Sequence, residues 1–326
     1  MAGAATTFAA AAVLAAALLT GCDTNPPDRQ QQTDQVTAQI RSLPAVESAT
    51  DVVVDSFAEG RVYAEVHVRA ADGATPDQVA AIATAFLDHL HAVDYSGYRT
   101  ELDVTRGANE FVVGDGRRPL TNDQQIVQQA RDWVNLSSRF PAAALTLYAA
   151  IRDQPAAGRL ELGGSTTYAD VAAAYPALAA TAPGLSTGHW IVGAGKEHPA
   201  EITSTGRWPS DAELRAWTAL NADQAVPHAV SMTVNGPTTG PLWVAEVTRS
   251  REVTEALQLA QRHLPIVATL PPPVLYTATD SWSGHLDATG QATTAVAVTI
   301  GGCTRRTYPA APEERALIDR YETCRH

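Results

Sequence analysis

The stretch that most resembles the parts of an enzyme is Gly184-Leu185-Ser186-Thr187-Gly188, a G-x-S-x-G pattern followed directly by His189. A nucleophilic serine of this pattern stands on a tight turn that leads from a strand into a helix. Here the order is reversed, because an Ala-rich helical segment ends near Ala180 and a strand containing Trp190 follows. We therefore expect Gly184 to end a helix in a connecting loop, and the sequence assigns no catalytic residue.

A second group with suitable chemistry is Asp88-His89-Leu90-His91 together with Asp94, which has the residue types of metal ligands. If this segment is helical, positions two apart do not share a face, so His89 and His91 diverge. We expect solvated residues at a helix end, and the sequence predicts neither a metal site nor a cofactor. Lys196-Glu197-His198 is predicted to be a polar loop between two strands.

Tryptophans are unevenly distributed and form the third group. Five of the six lie in the second half of the chain: Trp190, Trp208, Trp217, Trp243 and Trp282. Such residues either fill a core or, when clustered on one surface, form a recognition patch for protein or carbohydrate. Trp208 and Trp217, within GRWPSDAELRAW, are the candidate binding surface.

The amino-terminal sequence indicates where in the cell the protein is located. Phe8 to Thr20 is an apolar run of about thirteen residues, whereas a membrane-spanning helix needs about twenty. Its length fits the apolar core of a secretory signal. The residues that follow, Leu19-Thr20-Gly21-Cys22, resemble the lipobox of bacterial lipoproteins. That resemblance implies that residues 1–21 are a signal peptide and that Cys22 is acylated, which anchors the mature chain in the membrane on its extracytoplasmic face.

Residues 22–33 are predicted to be the lipidated cysteine and a flexible tether, because this polar segment carries two prolines and has nothing to bury. Signal peptides normally begin with Lys or Arg. The first charged residue here is Asp23, so we expect either a start codon further upstream or an unusual export route.

Composition limits the partners. Apolar residues make up 45% and charged residues 18% of the chain, as in a globular protein, and the net charge is −12. Repulsion makes nucleic acid and anionic lipid headgroups poor partners, so membrane contact must come from the acyl chains. Lys196 is the single lysine, and with so much alanine this usage is typical of a GC-rich genome such as an actinobacterium's.

Two cysteines remain after Cys22, and an even pair in an exported protein predicts a disulfide between Cys303 and Cys324. It would tie residues 303–326, which contain a helix from Pro312 to about Thr323, to the end of the preceding strand. Free thiols or a metal site are the alternatives.

Hydrophobic periodicity predicts an α+β fold in which the order αββαββ occurs three times, over residues 34–118, 119–207 and 208–302. We expect each unit to be a small antiparallel sheet packed under two helices. A short sequence also recurs: Val62 to Arg69 is VYAEVHVR, and Trp243 to Arg249 is WVAEVTR.

The sequence therefore favours a membrane-anchored extracytoplasmic lipoprotein that acts as a non-enzymatic binding or assembly module of the cell envelope. Its partner would be an envelope protein or a cell-wall ligand. An envelope hydrolase based on Ser186 or a carboxylate, and a structural spacer, are the alternatives.

Overall fold

The computed structural model of the chain describes residues 26–56, 62–115, 120–151, 154–194, 200–235, 242–250, 252–280 and 284–324. The predicted signal peptide, Cys22 and the loop Lys196-Glu197-His198 lie outside the described residues. Within them the fold is α+β, with seven α-helices and one twelve-stranded sheet.

Helices and strand pairs alternate along the chain. The helices are α1 (Gln30–Arg41), α2 (Pro76–Ala92), α3 (Asp123–Arg139), α4 (Tyr168–Thr181), α5 (Asp211–Ala222), α6 (Val253–Val267) and α7 (Pro312–Tyr321). The first six strands are β1 (Val46–Val54), β2 (Tyr63–Ala70), β3 (Arg99–Arg106), β4 (Asn109–Asp115), β5 (Ala144–Tyr148) and β6 (Ala157–Glu161). The other six are β7 (His189–Gly193), β8 (Glu201–Thr205), β9 (His228–Val234), β10 (Leu242–Thr248), β11 (Val274–Thr279) and β12 (Val296–Ile300).

The expectation of separate antiparallel sheets is wrong, because all twelve strands pair in chain order in a single mixed sheet. Each hairpin, such as β1–β2, is antiparallel, whereas neighbouring hairpins join through parallel pairs such as β2–β3 and β4–β5. The physical reason is that a lone hairpin leaves both edges unpaired. A connection through a helix is long enough to return the chain and pair the next strand in parallel.

The helices form one layer on one face of this sheet, since each helix contacts the next from α1 to α7. Strand side chains accordingly alternate between a buried face under the helices and a second face that we call the open face. The core lies between the two layers, where Trp133, Trp190 and Trp217 are among its largest fully buried side chains.

Two parts of the described structure, the segment around the start of α1 and the last two strands, differ from expectation. Helix α1 begins at Gln30, inside the predicted tether, and buries Thr33. Ahead of it, the Pro27 carbonyl accepts a hydrogen bond from Tyr98. At the far end, β11 and β12 are buried on both faces, because residues 284–294 and 303–308 lie over the open face there.

Local capping signals position the helices. Thr75 and Gln78 form a reciprocal capping box at α2, and Ser210 and Glu213 form the one predicted for α5. The Glu213 carboxylate also binds the Arg207 guanidinium, which lowers the pKa of Glu213 although burial alone would raise it. The start of α5 is therefore fixed by residues within seven positions of one another.

Candidate functional site

Ser186 lies where the sequence placed it, between a helix and a strand. It follows the short 3-10 helix Pro183–Leu185 after α4, and β7 begins three residues later at His189. His189 Nδ1 is 2.9 Å from the Thr205 hydroxyl oxygen on the neighbouring strand. The described hydrogen bonds therefore do not join Ser186 and His189 into a nucleophile and base pair.

The two histidines at the end of α2 point to different partners. His89 Nε2 is 3.0 Å from the Tyr95 hydroxyl, and burial lowers the pKa of His89. His91 Nε2 is 2.6 Å from an Asp123 carboxylate oxygen at the start of α3. Asp94 binds Ser96 in a turn. The structure does not bring His89, His91 and Asp94 together around one point.

Trp208 and Trp217 do not form an exposed patch. Trp217 is 0% exposed and packs edge-on against Tyr168. Trp208 is partly buried, with its ring 5.5 Å from that of Trp190 and 5.9 Å from that of Tyr175. Both indoles were the predicted binding surface. Trp217 is instead a core residue and Trp208 packs against the core, because the layer between helices and sheet is where large apolar area is removed from water.

The cysteine pair is joined as predicted. Cys303 and Cys324 form a disulfide across 21 positions, with Cα atoms 5.5 Å apart. The bond ties the loop after β12 to the residues that follow α7. This arrangement holds the end of the chain against the last strand of the sheet.

A buried polar cluster that the sequence did not reveal lies between α5, α6 and strands β9 to β11. At its centre is Glu246, which is 0% exposed and faces the helix layer from β10. One carboxylate oxygen is 2.7 Å from His263 Nδ1, and the other accepts a hydrogen bond from the Tyr276 hydroxyl. Burial, together with the negative charge of Glu246, raises the pKa of Tyr276 well above its ordinary value.

The cluster continues to the surface through α6. His263 Nε2 is 3.4 Å from an Asp223 carboxylate oxygen, which in turn binds Arg262. Burial by itself lowers the pKa of His263, but the hydrogen bond and charge of Glu246, assisted by Asp223, outweigh it and raise that pKa. His263 thus lies between two carboxylates, which favour its protonated form.

His228, Glu246 and His263 are residue types that bind Zn²⁺, and ligand atoms from all three lie within 4.8 Å of one another. Several of these ligand atoms already have partners, although His263 Nε2 has no hydrogen bond. His263 Nδ1 contacts Glu246, and the His228 ring nitrogens lie 2.7 Å from the Val226 carbonyl oxygen and 3.1 Å from that of Leu220. A metal ion would have to displace these contacts, so the arrangement is a hydrogen-bonded ion network that stabilises the core.

One signal in the sequence could have located the network. Glu246 is a carboxylate at an inward position of an otherwise apolar strand, and such a buried charge requires partners. The partners themselves come from β11 and α6, up to 30 positions away. Local reasoning therefore identifies the residue that needs partners but not the residues that supply them.

The open face is the other candidate site, over strands β2 to β9. Its positions follow from the strand register, in which Glu65 lies opposite Glu101 and His67 opposite Asp103. His67 is 3.7 Å from Glu65 and 3.5 Å from Asp103. Burial, together with the charge of Glu101, raises the pKa of Asp103 despite its contact with His67.

Further along, the open face carries both apolar and charged groups. Tyr148 on β5 is 52% exposed and is one of three large hydrophobic residues that are exposed in the described structure. Arg159 on β6 binds Glu161 and lies 3.6 Å from Glu201 on β8. Carboxylates outnumber arginines on this face, so a ligand that binds here must be neutral or cationic.

Comparison of the chain with protein-family models, curated proteins and solved structures found no significant match. Among the described helices, none combines the length and the apolar character needed to cross a bilayer.

Proposed function

We propose that this chain is a membrane-anchored lipoprotein of the extracytoplasmic side that binds another envelope component through the open face of its sheet, without catalysis. The anchor is the acylated Cys22 inferred from the lipobox-like sequence. The binding role rests on one observation: seven helices cover one face of the sheet, and no segment of the described residues lies over the other face from β2 to β9.

The open face approaches the size of one side of a protein interface, with a flat area of about 600 Å². Eight strands spaced by roughly 4.8 Å, each at least five residues long, give a surface about 35 Å by 17 Å. A stable interface buries about 800 Å² per partner. Tyr148, with its large apolar ring and its hydroxyl group, has the character of an interface anchor.

Charge favours an envelope protein with a neutral or basic surface. The ion pairs on the open face are solvent-accessible, with the Arg159 side chain 49% exposed, so they contribute specificity more than affinity. The net charge of −12 supports the exclusion of nucleic acid. Glu246, His263 and Tyr276 are 0% exposed and play no part in the binding role.

Site-specific photocrosslinking in intact cells tests the role of the open face. A photoreactive phenylalanine analogue replaces Tyr148 in one strain and Gln128, an exposed residue of α3, in the control strain. We expect a discrete crosslinked partner from position 148 alone. Equal products from both positions, or none from either, would support the alternative of a spacer. A small hydrolysed substrate instead of a partner would support the hydrolase.

The anchor has its own test. Mass spectrometry of the amino-terminal peptide should find a diacylglyceryl group on the Cys22 sulfur, and cell fractionation should place the protein with the membrane. Cys22→Ala should release it. An unmodified thiol on a cytosolic protein would remove both the anchor and the extracytoplasmic location.

We also infer that residues 34–118, 119–207 and 208–302 are repeats of one αββαββ unit. The element order supports this inference, since each range holds two helices and two hairpins in the same order. The recurring short sequence does not support the inference. Glu65 of VYAEVHVR lies on the open face, whereas Glu246 of WVAEVTR faces the helices. A one-residue offset moves every side chain of a strand to the opposite face. When the units of an experimental structure are superposed, the two similar sequences should therefore be out of register by one residue.

A further inference from the structure

The two edge strands of the sheet differ in how their outward backbone groups are hydrogen-bonded. At β12, the Ala297 and Thr299 amides donate to the carboxylates of Glu314 and Glu322. The Ala297 carbonyl accepts from Arg306. Helix α7 and the residues on either side of it therefore satisfy the outer groups of this edge strand, which closes it to further strand pairing.

Among the described residues, the edge at β1 is sealed only in part. The strand register, with the Ala71 amide bonded to the Ala45 carbonyl, places the backbone groups of Ala49, Asp51 and Val53 on the outer side. Arg41 binds the Ala49 carbonyl. In the described part of the chain, the outward amides of Asp51 and Val53 have no hydrogen-bond partner.

We propose that the β1 edge pairs antiparallel with β1 of a second copy, so that two chains form one continuous sheet. The inference stands apart from the proposed function, because the edge and the open face are different surfaces. A sealed β12 leaves β1 as the edge available for strand addition. Pairing of like edges about a two-fold axis closes after two copies and cannot grow into a fibre.

The register follows from the side chains. If Val52 lies opposite the partner's Val52, then Asp51 and the partner's Val53 exchange main-chain hydrogen bonds. Val52 is 43% exposed on the open face, so the pair removes apolar area from water. A register centred on Asp51 would instead place two carboxylates opposite each other, which is destabilising.

Charge complementarity supports the same register. It sets Ala49 opposite the partner's Asp55, and Arg41 already binds the Ala49 carbonyl from α1. Each Arg41 guanidinium then lies beside the carboxylate of the partner's Asp55. This contact occurs twice because of the two-fold symmetry.

Sedimentation of the full chain tests the dimer. All variants carry Cys22→Ser, so that a shared membrane cannot bring two copies together. Val53→Pro removes an outward amide without touching the β1–β2 ladder, and Val53→Ala is matched for lost packing but keeps that amide. We expect a dimer for the unchanged chain and for Val53→Ala, and a dimer dissociation constant at least about tenfold higher for Val53→Pro.

Disulfide trapping tests the register and does not depend on the proline variant folding. Cα atoms of a non-hydrogen-bonded antiparallel pair are about 4.5 Å apart, within the range of a disulfide. Val52→Cys should therefore crosslink under mild oxidation, whereas Thr50→Cys, which faces the partner's Val54, should not. A monomer at micromolar concentration, or equal trapping of both cysteines, overturns the proposal. So does a monomer whose Asp51 and Val53 amides are protected from hydrogen exchange, because another segment then covers the edge.

Discussion

Replacing Glu246 with leucine tests whether the buried network stabilises the core. The carboxylate contacts His263 Nδ1 at 2.7 Å and accepts from the Tyr276 hydroxyl, and all three side chains are 0% exposed. Leucine leaves two buried donors without acceptors, at about 1–3 kcal/mol each. Removing one member of a buried ion pair costs about 3–5 kcal/mol, and we expect Glu246→Leu to lower the free energy of unfolding by that amount.

A double-mutant cycle distinguishes the interaction between Glu246 and His263 from simple loss of side-chain packing. His263→Leu alone leaves Glu246 as an uncompensated buried charge and should cost about as much as Glu246→Leu. The double variant replaces the pair by apolar side chains, which is often close to neutral. We therefore expect its cost to fall below that of either single variant, and so below the sum of the single costs by about 3 kcal/mol or more.

Urea unfolding followed by tryptophan fluorescence and circular dichroism measures these free energies. Glu47→Leu, at an exposed glutamate of the same sheet, is the control and should change stability by less than about 0.5 kcal/mol. A cost below about 1 kcal/mol for Glu246→Leu, or strictly additive costs in the cycle, would refute the role of the network.

The same network sets a pH dependence. The folded-state pKa of His263 is raised, so its contribution to stability is fully present below the unfolded value near 6.5 and is lost as pH rises through the folded value. Glu246 and Asp223 face the ring as carboxylates, and Arg262 and His228 are the nearby basic groups. Glu246→Leu should flatten this alkaline loss. An unchanged profile would contradict the assignment.

Three further outcomes are expected. Burial lowers the pKa of His285 to about 4, so its contribution of about 3 kcal/mol should be lost as pH falls from about 6.5 to 4, and His285→Gln should be less acid-sensitive in urea unfolding. A Cβ on Gly158 would lie 2.4 Å from the Trp190 ring, so Gly158→Ala should lower the melting temperature by several degrees. Cys303→Ser with Cys324→Ser should cost about 3 kcal/mol and expose the chain end to protease.

Matched controls make these outcomes specific. Gly164→Ala introduces a Cβ with nothing within 4 Å and should leave the melting temperature within about one degree. An equal shift for both glycines would contradict the packing argument. For His285, the free energy of unfolding could fall equally with decreasing pH in the variant and in the unchanged chain. That result would show that carboxylates alone cause the loss of stability in acid.

Some of the fold could be read from the sequence because its causes are local. Side-chain alternation, helix periodicity and capping boxes such as Ser210 with Glu213 depend on residues within one turn of each other. They gave the order of helices and strands over the described residues. The pairing of Cys303 with Cys324 also followed, because only two cysteines remained to pair after Cys22.

Local sequence patterns were enough to predict which segments form helices and strands and, for most strands, which side is apolar. They could not predict which strands pair across a helix, because the backbone groups that pair are the same in every strand. Long-range packing therefore joined the hairpins into one sheet, sealed its β12 edge and, among the described residues, left the outward amides of Asp51 and Val53 without partners. It also placed the glutamates of two similar stretches on opposite faces, where Glu246 finds His263 and Tyr276 and Glu65 finds His67.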